Sequence, residues 1–187
     1  MSRQRRRQRT PRHVPKQRLG LRYRIWLALI GFLFILGVAA AAIIQPSPSK
    51  PAPGRQVNIQ GDQHVVSGQT HPTYNTTPPT SGWHYEDTTR WGIHSEPIAD
   101  ELQVHNLEHG GILVQYSCDD CPELVAKLEE VVKRYPSMVI LAPYPDMPQR
   151  IALTAWGRIA KLSVFDEDTI ASFIEAYRDK GPEKVPD

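Results

Sequence analysis

His105-Asn106-Leu107-Glu108-His109 sets two imidazoles four positions apart, with a carboxylate beside the second. On a helix, positions i and i+4 stand one above the other on the same face, so both rings can converge on one metal ion. Imidazole nitrogens suit zinc, copper, iron and nickel. Upstream, His71 and His84 lie in a loop rich in Pro, Gly and Thr, and His94 follows. The expected metal set is His71, His84, His105 and His109. Glu108 is expected behind a ligand or as a weak ligand itself, His94 is an additional candidate, and copper or zinc is the ion. The run also fits the inverted zincin pattern H-x-x-E-H, in which the histidines hold zinc and the glutamate activates water. Glu175 or Glu183 would then be a third ligand far downstream. The direct passage of the run into Gly110-Gly111 and an apolar strand argues against a protease. Without a metal, the same imidazoles would be hydrogen-bonded scaffolding of a polar groove.

A second chemistry sits in Cys118-Asp119-Asp120-Cys121, between an apolar strand and an amphipathic helix. A thiolate at a helix N-terminus is stabilised by the partial positive charge there, as redox pairs require. Met147-Pro148, just before another strand, falls where thioredoxin-like proteins keep a cis-proline. Asp119 and Asp120 oppose a thiolate. The competing readings are a short-loop structural disulfide, expected outside the cytoplasm, and metal ligation.

These groups need elements to hold them. Residues 58–97 have little helical periodicity and much turn chemistry. A long ordered loop of this kind is uncommon unless it is functional, and Tyr74, Trp83, Tyr85 and Trp91 could pin it. Ala99 to His109 reads as a short helix closed by Gly110. Ile112 to Tyr116 is a strand. Pro122 to Arg134 is an amphipathic helix burying Leu124, Val125, Leu128, Val131 and Val132. Met138 to Ala142 is a second strand, and Ile151–Trp156 with Ile159–Leu162 form a hairpin around Gly157. The last helix begins at Asp166 as N-cap and stops by Gly181-Pro182. Strand, helix, strand, hairpin, helix predicts a small α/β sandwich with a mixed sheet, and a parallel pair within it. The strand–CxxC–helix–strand order is in part thioredoxin-like.

The formal charge of the 187 residues is +2, an average over two unlike parts. Residues 1–24 hold ten basic residues and no acid, and Ile25 to Ile44 carry no charge. A 20-residue apolar helix rises about 30 Å, the thickness of the hydrocarbon core. Residues 1–24 are therefore expected as a cytoplasmic tail, 25–44 as a transmembrane signal anchor and 45–56 as a Pro-rich spacer. Residues 57–187 are expected as an extracytoplasmic domain. Cleavage near Ala39 to Ala42 is the rival. Beside a span, the basic tail sets orientation and meets anionic lipid, so nucleic acid is not an expected partner.

The stretches His71-Pro72-x-Tyr74-Asn75-x-x-Pro78-Pro79-Thr80-Ser81-Gly82-x-His84 and Val104-His105-Asn106-Leu107-Glu108-His109-Gly110 together resemble a bacterial family catalogued as domain of unknown function 3105. Ala142-Pro143-Tyr144-Pro145 and Ala155-Trp156-Gly157-Arg158 are similar to it too. The likeness covers roughly residues 60–184. It implies a basic tail, one membrane span and an extracytoplasmic domain, and it joins the loop and the His-Asn-Leu-Glu-His run into one site. It supplies no reaction. Trp83 stands where the resemblance leads one to expect Pro, its ring placed to shield His84. Tyr74, Trp83, Trp156 and Arg158 are the candidate groove residues; the sequence leaves open whether the last two share the histidines' groove. Three functions follow: a membrane-anchored metal-binding domain, a tethered thiol–disulfide oxidoreductase using Cys118 and Cys121, or a non-catalytic domain docking a membrane protein.

Overall fold

The computed structural model describes residues 20–43, 51–118 and 120–184, and only the backbone of residues 34–43. Most of the expected basic tail (1–19), part of the spacer (45–50), and Ile44 with the side chains of residues 34–43 of the apolar run lie outside the described residues. The chain divides into two units, Met1–Lys50 and Pro51–Asp187. The first contains α1 (Leu21–Ile43), a helix rich in Leu, Ile and Ala. Among the described residues no helix is long and apolar enough to cross a membrane.

The second unit is an α/β domain around one six-stranded mixed sheet. In chain order it runs β1 (Arg55–Gln56), β2 (Gly92–Ile93), α2 (Asp100–Glu108), β3 (Ile112–Tyr116), α3 (Pro122–Val132), β4 (Val139–Pro143), β5 (Ile151–Ala155), β6 (Arg158–Leu162) and α4 (Glu167–Tyr177). The strand order across the sheet is β1-β6-β5-β3-β4-β2. β3 and β4 are parallel, as a strand–helix–strand unit requires, and β2 adds in parallel beside β4. β5 runs antiparallel to β3 and to β6, and β1, within the stretch read as spacer, extends the edge beside β6.

Alternation along the strands divides the core in two. Ile112, Val114, Val139, Leu141, Ile151 and Leu153 face α3 and α4, and meet Leu128, Val131, Ile170, Phe173 and Ile174. Leu113, Ile140 and Ala142 point the other way and pack under Leu107 of α2, with Trp91, Ile98 and Trp156 around them. α4 starts where the sequence predicts, with the Asp166 carboxylate accepting from the Thr169 amide at 3.1 Å. The cis peptide bond of the described residues is Thr77–Pro78 and not Met147–Pro148, which corrects the cis-proline expectation.

Candidate metal site

α2 delivers its histidines because of how it ends. His109 is the C-cap, and Gly110 takes φ +87°, a left-handed conformation that side-chain-bearing residues rarely adopt. The Gly110 amide then donates to Leu107 O at 2.9 Å and the Gly111 amide to Asn106 O at 2.8 Å. This Schellman closure satisfies the last carbonyls and turns the chain directly into β3. His105 and His109 are left on one flank of the helix end, ring centroids 4.4 Å apart.

The other histidines come from the long loop, which is ordered by polar clamps in place of regular structure. The Asn106 side chain accepts from the Thr89 amide and donates to its carbonyl, both at 2.9 Å, tying the loop to α2. Gln60 donates its amide to Ser81 Oγ at 3.0 Å and its side chain to Thr73 O at 3.1 Å. An isolated parallel bridge pairs His64 with His84, through the Val65 amide on His84 O and the His84 amide on Gln63 O. Rings 64 and 84 are 4.6 Å apart, and rings 84 and 105 are 4.9 Å apart.

Two groups result. Ligand atoms of His64, His84, His105 and Glu108 all lie within 4.8 Å of one another, as do those of His105, His109 and Glu183. In the first group His84, His105 and Glu108 are buried and His64 faces solvent. His84 Nδ1 donates to Gly82 O at 2.8 Å, which leaves the lone pair on Nε2. That nitrogen is 3.0 Å from Glu108 Oε2, yet it has no hydrogen-bond partner in line. His105 Nδ1 is likewise buried and without a partner. Burial pushes the pKa of His84 down, and burial with the neighbouring imidazoles does the same to His105. Both shifts favour the neutral ring, the state that binds metal. Burial raises the Glu108 carboxyl, and the charge of Glu183 adds to this.

The remaining predicted residues sit elsewhere. His71 Nδ1 donates to Pro72 O at 2.9 Å and Nε2 to Glu101 at 3.1 Å. Both ring nitrogens face acceptors, an arrangement that favours the protonated ring; its pKa is raised by the Pro72 carbonyl, with Glu101 adding to it. His94 Nε2 donates to Arg90 O at 2.8 Å. The Trp83 ring lies parallel to His71, 6.0 Å away, and the Tyr74 hydroxyl donates to Trp83 O. Trp156 packs beneath α2, whereas the Arg158 guanidinium lies over Tyr177 of α4. Cys118 and Cys121 form a disulfide at the far end of β3 from His109. Five strand residues, about 17 Å, separate the two. His64 is the residue that sequence reasoning missed. It stands alone among polar neighbours, and only its pairing with His84 reveals it.

The model of a family described as "Protein of unknown function (DUF3105)" matches residues 64–187, a span that runs from His64 past Glu183. The chain belongs to that family. No curated protein and no solved structure matches it.

Proposed function

We propose that this member of the DUF3105 family is a metal-binding domain that takes zinc or copper(II) through His64, His84, His105 and Glu108. One observation carries the reading. The His84 Nε2 lone pair and a Glu108 oxygen stand 3.0 Å apart inside the protein without a hydrogen bond between them. Two such electron-rich atoms repel unless a positive charge lies between them. A shared proton would need an in-line arrangement, which is missing, whereas a cation coordinates both from the side. Three imidazoles and a carboxylate suit zinc in a closed, four-ligand site, and copper(II) equally. Gly82 O fixes the tautomer of His84, as the partners behind metal-binding histidines do.

The test is elemental mass spectrometry on the full chain purified without chelator. Near-stoichiometric zinc or copper that is lost in His64→Ala/Glu108→Gln is the expected result. A folded protein that neither retains nor takes up either ion overturns the reading.

The apolar run Ile25–Ile44, with ten basic residues ahead of it, supports a membrane anchor that leaves the domain extracytoplasmic. Protection of the domain from protease in intact cells would overturn that orientation if accompanied by cytoplasmic labelling.

A second reading is favoured by one arrangement. The Cys118–Cys121 disulfide leads from a central strand into α3, and β5 alone runs antiparallel within β6-β5-β3-β4, which supports reading the pair as a thioredoxin-like dithiol. As a thiol–disulfide oxidoreductase, the pair would accept two electrons and two protons from a protein dithiol, which becomes a disulfide. Equilibration in glutathione buffers should then give a potential well above about −300 mV. A bond that stays oxidised there rules the reading out.

A further inference from the structure

We infer that the chain holds a second ion of the same class at His105, His109 and Glu183, beside the first and sharing His105 with it. The inference rests on the metal reading of the His64–His84–His105–Glu108 set. Ligand atoms of the three residues lie within 4.8 Å of one another, and His109 Nε2 is 3.3 Å from Glu183 Oε2. The His105 ring stands between the two groups, 4.9 Å from His84 and 4.4 Å from His109. Its Nδ1 is buried without a partner, so that atom is free for an ion, whereas the ring's hydrogen bond to the Asp87 backbone would have to give way for a second ion to share it.

Glu183 reaches this place through the backbone. The segment after α4 folds back over the end of α2, with the Asp179 amide donating to Gly110 O at 2.8 Å and the Glu183 amide to Glu108 O at 3.2 Å. Lys184 turns aside to Asp179, so the lysine next in sequence does not neutralise Glu183. The two groups differ in access. Side chains of His84 and Glu108 are 0% and 7% exposed, those of His109 and Glu183 15% and 51%. The outer ion therefore meets water, has fewer protein ligands and exchanges faster.

Two ions on one imidazole require both of its nitrogens. The ring then loses its N–H proton to water and bridges as an imidazolate, so filling the outer site releases one proton more than a neutral histidine would. A single nitrogen of His105 serving both groups would admit one ion only.

The test is titration of the full chain with Zn²⁺ against a chromophoric chelator, with proton release measured in buffers of different ionisation enthalpy. Wild type should bind two equivalents, the second more weakly, because it has fewer protein ligands and meets water. His109→Ala/Glu183→Gln should keep the tight equivalent and lose the weak one with its extra proton. Glu183→Gln alone, at an exposed side chain, should weaken only the second. One equivalent in wild type, unchanged in these variants, overturns the inference and leaves the inner site standing. No zinc bound by any form overturns both.

Discussion

Gly181 is pressed against the carbonyl of Glu108. A Cβ built on it would overlap the Glu108 oxygen and the Gly110 amide nitrogen, both backbone atoms at the closed end of α2. The segment carrying Glu183 can lie over His109 only because residue 181 has no side chain. Gly181→Ala should therefore lift this strap. We expect a stability loss of about 1–3 kcal/mol and weaker binding of the outer ion, with the inner ion retained. Denaturant melts and zinc titration on one preparation check both.

Metal binding should also appear as stability, because an ion bound by the folded state alone raises the unfolding free energy. At a free concentration of 100 times Kd the gain is about 2.7 kcal/mol. Adding chelator should lower Tm by roughly 5–10 °C. Glu108→Gln keeps the shape and removes the charge, so its melting should respond little to chelator. Calorimetric scans with and without chelator decide this; an unchanged wild-type Tm contradicts the prediction.

Asp100 sits at the start of α2, where burial pushes its carboxyl up to about 6 against the opposing hydrogen bond from the Tyr144 hydroxyl at 3.2 Å. The native state thus holds a proton that the unfolded chain, with a carboxyl near 3.8, has already lost. Stability from this group falls as pH rises from about 4 to about 6. Asp100→Asn should be more stable than wild type at pH about 7.5, by on the order of 2 kcal/mol, and similar to it below pH about 4. Urea melts across that range would show the two curves converging at the acid end. Parallel curves would contradict the assignment.

Cys118 and Cys121 close a short loop, and the chain-entropy model gives such a loop about 2 kcal/mol. Cys118→Ser/Cys121→Ser should lose no more than about that amount and should keep the wild-type metal content, since the pair lies at the opposite end of β3. Loss of metal in this variant would tie the two regions together, contrary to the geometry.

Much of the domain was legible because local periodicity was strong. α3 and α4 carry apolar residues at helical spacing, and β3, β4 and β5 are compact apolar runs, so these elements and a mixed sheet follow from pattern, while the strand order was decided by the fold. The His105/His109 pair was legible for the same reason: i, i+4 spacing is a property of one helix. Pattern could not sort the remaining histidines. His71, His84 and His94 look alike in a segment without periodicity, and His71 proves to be paired with Pro72 O and Glu101, away from the other imidazoles.

By itself the sequence determined the elements from α2 to α4, the spacing of His105 and His109, and the charge asymmetry of the N-terminal region, while the two-residue strands β1 and β2 left no signal. Which of these side chains meet was decided by tertiary structure. His64 joins through a bridge to His84, twenty residues on, and Glu183 joins through a strap that crosses the end of α2. Such contacts depend on which backbone amides and carbonyls find partners across the fold. They leave no period in the chain, because the groups they bring together lie far apart along it.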